Sequence, residues 1–124
     1  MSQMRKLLDR VNELPSVRGS AVVTGDGILV VDALQDRFRE DVVSGLTSFL
    51  LLTMRRAMTE EADGGEGTRL DRFVLHATHG KLVVENLGDA FLIAITDQFA
   101  DIQAVLPHIE TVAEELRQMV RIDA

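Results

Sequence analysis

Apolar residues near the start of the chain fall at Met4, Leu7, Leu8, Val11 and Leu14. This i, i+3, i+4, i+7 spacing puts one apolar stripe on a helix. Ser2 is available as its N-cap and Pro15 stops it. The period then changes to that of strands. Residues 20–23 and 28–31 are β-rich, and Thr24-Gly25-Asp26-Gly27 between them predicts a tight hairpin, because Asp-Gly supplies the positive φ such turns need. A helical segment follows over residues 37–62, with Asp36 placed to cap its start and Gly64 its end. At ~1.5 Å per residue it would run about 39 Å, long for a small domain.

Beyond a Gly-rich loop at 63–67, three more strand-like runs occupy residues 72–78, 81–86 and 90–96. His79-Gly80 is expected as a two-residue turn between the first two, and Leu87-Gly88-Asp89 between the second and third. The last helix takes its stripe from Ile102, Val105, Leu106, Ile109, Val112, Leu116 and Met119 or Val120. Pro107 interrupts that stripe and has no backbone donor, so a start within a turn of Pro107 is favoured over one capped at Asp101. The order is α-β-β-α-β-β-β-α. Short links between strands require antiparallel neighbours, so the expected fold is α/β in content: an α+β sandwich, one domain over 1–124, with a five-stranded antiparallel sheet between helices.

The long helical segment carries more apolar surface than one sheet can cover. Val42, Val43, Leu46, Phe49, Leu50, Met54 and Ala57 span about 140° at 100° per residue, enough for packing on a sheet. Leu51, Leu52 and Met58 lie outside that arc. One reading is a helix–helix contact with a second copy, in which Gly45 and Ser48 permit close approach. The other is burial within one chain, with Gly45 a tolerated defect costing about 1 kcal/mol. The first is favoured because so small a domain has little room to hide the excess. Phe73-Val74-Leu75 adds to it: an apolar strand without proline, expected at a sheet edge, is an association hazard unless paired. The candidate dimer interface is therefore Gly45, Ser48, Leu51, Leu52, Met58, Phe73 and Leu75.

Composition narrows the function. Of 124 residues only 4% are aromatic, with neither Trp nor Tyr, which leaves no platform for stacking bases or sugars. A formal net charge of −7 repels phosphate backbones and anionic lipid, so nucleic acid is disfavoured as a partner. The absence of cysteine removes disulfides, thiolate-held zinc and thiol catalysis, and fits a reducing compartment. No signal-peptide h-region opens the chain, and the most apolar run, 46–54, is too short to span a bilayer. A cytoplasmic location without membrane insertion is expected.

Catalytic patterns are missing. Gly25-Asp26-Gly27 leads into a strand rather than a helix, and Gly80-Lys81 lacks the upstream glycine of a phosphate loop. His76, His79 and His108 are not spaced to share a metal. Glu60-Glu61 and Glu114-Glu115 are adjacent pairs that splay around their helices, and no serine sits in a Gly-x-Ser-x-Gly elbow. No catalytic, cofactor-binding or metal-binding residue is assigned, and no enzymatic activity is expected.

Several motifs, in this order and spacing, resemble the Roadblock/dynein light-chain superfamily. They are the leading helix ending near Leu14-Pro15, the run Val17-Arg18-Gly19-Ser20-Ala21-Val22-Val23, and the Asp26-Gly27 hairpin with Ile28-Leu29-Val30. His79-Gly80-Lys81-Leu82-Val83-Val84 and Leu87-Gly88-Asp89 before an apolar strand complete the set. The resemblance implies a Roadblock fold in which two copies pair through the long helix and the strand after it, joining their sheets. It also implies a protein without enzymatic activity of its own. Many such proteins bind small Ras-like GTPases, bacterial gliding-motility members act as their activating or exchange partners, and others are scaffold subunits. The short polar link at 32–36 and the Gly-rich loop depart from the compact family pattern, both on surfaces where a partner would dock. Arg55, Arg56 and Glu60, beside the apolar stripe, are the candidate partner-binding residues. The expected function is a homodimeric, non-catalytic regulator or scaffold for a small Ras-like GTPase. A ligand-sensing α/β domain of a signalling system is the alternative, and it would require a pocket with inward-pointing polar groups.

Overall fold

A computed structural model of the chain describes residues 2–24, 28–34, 52 and 71–122. The described elements are α1 (Ser2–Asn12), β1 (Val17–Thr24), β2 (Leu29–Leu34), β3 (Arg72–Ala77), β4 (Gly80–Asn86), β5 (Ala90–Asp97) and α2 (Ile102–Ile122). The strands form a five-stranded sheet in the order β2-β1-β5-β4-β3, and every neighbouring pair is antiparallel. The hairpin tip at 25–27, the long helical segment at 37–62 except Leu52, and the Gly-rich loop lie outside the described residues.

Alternation along the strands gives the sheet two different faces. On one, Val22, Ala33, Val83, Leu92 and Ala94 meet Leu7, Leu8 and Val11 of α1 and Val105, Ile109, Val112 and Leu116 of α2. On the other, Ala21, Val23, Val84, Phe91 and Ile93 form a second cluster with Leu29, Phe73, Leu82 and Ile95, to which α1 and α2 contribute nothing. The central strand β5 is apolar on both sides and buried along most of its length, which is why it reads Ala-Phe-Leu-Ile-Ala-Ile without polar interruption.

A bulge between Val17 and Gly19 corrects the register against β5, so that Val17, Ser20 and Val22 all face the helices. The displaced Arg18 reaches Asp97 at 3.0 Å and the Pro15 carbonyl at 3.0 Å. Beneath α1 the buried Ser20 hydroxyl has two acceptors within reach, Asn12 Oδ1 at 2.9 Å and the Leu8 carbonyl at 3.3 Å. Asn12 Nδ2 donates onward to the Ala33 carbonyl at 2.8 Å, tying the end of α1 to both β1 and β2.

Three local expectations are corrected. Ser2 is the first residue of α1 rather than the residue before it. The β3–β4 turn is Thr78-His79, not His79-Gly80, because Ala77 pairs with Gly80. Gly80 is a strand residue in close contact: a Cβ there would stand 2.6 Å from the Thr96 carbonyl oxygen. The last helix begins at Ile102, a full turn and more before Pro107. Asp101 caps it, its Oδ1 accepting from Gln103 N–H at 3.2 Å and its carbonyl from Val105 N–H at 3.1 Å. Packing of Ile102 and buried Val105 in that first stretch offsets the single backbone bond that Pro107 removes.

Candidate interaction edge

The two ends of the sheet are built differently. At one end β2 carries an irregularity against β1, since Val22 pairs with Val31 and Val23 with Leu29, leaving Val30 unmatched. Such a bulge twists an edge away from further pairing. At the other end β3 pairs with β4 through six consecutive residue pairs without a register shift. Among the described residues nothing pairs with its outer side. It is a regular, unbulged edge.

Phe73 and Leu75 are both on this strand, opposite Val84 and Leu82, on the face away from α1 and α2. Phe73 is half-buried in the second cluster, and Leu75 keeps 41% of its surface exposed. Leu52 is helical and 48% exposed. Gly45, Ser48, Leu51 and Met58 of the candidate interface, and Arg55, Arg56 and Glu60 of the candidate partner site, lie outside the described residues.

On the helix-facing side of the same edge is a charge cluster absent from the sequence-based site. Glu85 of β4 is only 2% exposed. Its Oε2 accepts from Nε of Arg72, directly opposite on β3, and Oε1 lies 3.7 Å from Nη2 of Arg117 on α2. Arg72 Nη2 bonds Glu110 on α2. Arg117 also donates from Nε to the Asn86 carbonyl at 3.0 Å and from Nη1 to Glu114 at 3.0 Å. The Glu85 carboxylate raises the Arg72 guanidinium above its ordinary pKa, with burial opposing and Glu110 adding to the rise. Arg72 therefore stays charged throughout the working range of pH. One signal was present in the sequence: Glu85 falls in step with Val83 on the core-facing side of its strand.

His76, His79 and His108 are exposed, and no group of His, Asp or Glu among the described residues is gathered to hold a metal ion. A cleft of about 370 Å³ lies between α1 and α2, lined by Arg10, Val11, Glu13, Leu14, His108, Thr111 and Val112. Two of its polar groups are already engaged, Arg10 with Glu115 at 3.1 Å and the Thr111 hydroxyl with the Pro107 carbonyl at 3.0 Å. Among the described residues no helix is long and apolar enough to cross a membrane.

The arrangement matches known structures closely. The Roadblock/LC7 domain from Streptomyces avermitilis superposes with a TM-score of 0.82 at 19% identity, over 94% of this chain and 96% of that one. The gliding protein MglB of Thermus thermophilus gives 0.79 at 15% identity, over 94% and 87% of the two chains. In sequence the chain is 25% identical over 117 residues to protein MJ1340 of Methanocaldococcus jannaschii, covering 91% of this chain and 99% of that one. The family model for the Roadblock/LC7 domain matches residues 4–97, from α1 through the end of β5, and the chain belongs to that family.

Proposed function

We propose that this chain is a homodimeric, non-catalytic regulator or scaffold in the cytoplasm that binds a small Ras-like GTPase. The observation that carries the dimer is β3. It is a regular, unbulged edge with Phe73 and Leu75 beside it on the face away from α1 and α2, whereas the opposite edge of the sheet is bulged. A second copy pairing along β3 satisfies that edge and joins the sheets, and the family resemblance implies that the segments at 37–62 take part in the same contact. The excess apolar residues Leu51, Leu52 and Met58, with the small Gly45 and Ser48, then have a surface to meet.

The GTPase is the partner that the family resemblance implies, and likeness to a gliding protein of the same fold supports it. The surface on offer is two-fold symmetric and a GTPase is not, so one GTPase per dimer is the expected stoichiometry where the site straddles the axis. Arg55, Arg56 and Glu60 are the residues to reverse in charge. The deciding experiment is capture of a small Ras-like GTPase encoded in the same operon, in its GDP and GTP-analogue forms, by the wild-type dimer and by those variants. Retention of either form, slowed by charge reversal, supports the reading. No retention in either form ends it and leaves the dimeric scaffold.

A further inference from the structure

We infer that Glu85, Arg72 and Glu110 form a strut that sets the position of β3 from the outside of α2, so that the charge at Glu110 controls how well this edge pairs with a second copy. The inference rests on the self-association proposed above. Among the described residues, and besides its pairing with β4, strand β3 is held mainly by Phe73, half-buried on the second cluster, and by Val74. Of its six residues, Val74 alone joins the apolar cluster beneath α1 and α2, while Arg72, Leu75, His76 and Ala77 are exposed. Its first residue, Arg72, is the one that bridges to the helix layer, with one guanidinium nitrogen on Glu85 and another on Glu110.

The chemistry makes this bridge directional. A planar guanidinium offers its donors in a fixed fork, so two carboxylates held by one fork fix its plane and the strand that carries it. Glu85 is held in turn. Its carboxylate is buried, and a buried carboxylate requires its cationic partners, which here come from β3 through Arg72 and from α2 through Arg117. Arg117 is itself tied to the end of β4 through the Asn86 carbonyl. The outer member, Glu110, is half exposed and 38 residues from Arg72 in sequence. A change at Glu110 on α2 therefore acts on the edge strand directly, through its ion pair with Arg72, while the Arg72–Glu85 pair ties the same guanidinium to β4. Arg72, Glu85 and Glu110 are positioning residues. Edge-to-edge pairing needs the outward N–H and C=O groups of β3 aligned along its whole length, and the strut holds one end of that row.

Amide exchange of β3 and the dimer dissociation constant, measured on wild type, Glu110→Gln and Arg72→Lys, test the strut. Glu110→Gln is expected to speed exchange of the β3 amides about two- to fivefold, the scale of a part-exposed ion pair, with the central β5 amides unchanged. Dimer affinity falls by a similar factor. Arg72→Lys keeps the charge but loses the fork, and is expected to do at least as much. Unchanged β3 exchange in both variants overturns the strut, and faster exchange with unchanged dimer affinity overturns its link to pairing. Glu85→Gln risks unfolding the chain, so the two surface variants carry the test. A monomeric wild type ends the self-association reading by itself, while β3 exchange in that monomer still decides whether the strut holds the edge.

Discussion

Gly80 lies against the backbone of Thr96, so close that a Cβ on Gly80 would stand 2.6 Å from the Thr96 carbonyl oxygen. The neighbour is main chain of the adjacent strand, which has no side-chain torsion through which to yield. Gly80→Ala must push β4 and β5 apart at the mouth of the β3–β4 hairpin. The expected loss is about 1–3 kcal/mol of unfolding free energy, the range for overpacking, measured by urea denaturation. A change within experimental error would show that this end of the sheet is loose.

The start of α2 makes a paired prediction. Asp101 caps the helix through Gln103 N–H, and its replacement by alanine is expected to cost about 1 kcal/mol. Pro107 is exposed within the helix and contributes no side chain to the core. Pro107→Ala restores the donor missing from the second turn and is expected to stabilise the chain by roughly 1–3 kcal/mol. Destabilisation by Pro107→Ala in the same urea series would contradict this account of the helix.

Ser20 and Asn12 link α1 to the sheet through buried polar groups. Ser20→Ala leaves Asn12 Oδ1 without its donor while Asn12 Nδ2 stays on the Ala33 carbonyl. The expected cost is about 1–3 kcal/mol, more than the methyl-sized volume change alone would give. Combined with Asn12→Ala, the two losses should be clearly less than additive in a double-mutant cycle. Additivity would mean the contact carries no energy of its own.

The pattern of the chain made the layers legible but not the ion network. The short links correctly required antiparallel neighbours, and the strand that carries Phe73 and Leu75, expected at an edge, is the last in the sheet order. The expected turn was one residue late, however, and that moves every cross-strand pair by two. A His79-Gly80 turn would set Arg72 opposite Leu87, whereas the Thr78-His79 turn sets it opposite Glu85. Faces survive such a slip because its parity is even, while partners do not. Gly80 misled because glycine usually signals a turn, and here its role is to let Thr96 come close. Pro107 misled in a similar way: local propensity argued for a helix start, and the packing of Ile102 and Val105 overrode it. Of the candidate interface, Phe73, Leu75 and Leu52 are placed, and the remaining positions lie outside the described residues.

The most direct test of the homodimer is the mass of the purified chain in solution. Light scattering at micromolar concentration, without added ligand, is expected to give about twice the 13.7 kDa of one copy. Leu75→Glu places a charge beside the proposed pairing edge at a side chain already 41% exposed, so the fold should survive it. This variant is expected to sediment as a folded monomer, or to weaken the dimer by several kcal/mol. A wild-type mass of one copy, or a Leu75→Glu variant that dimerises as tightly as wild type, would contradict assembly through β3.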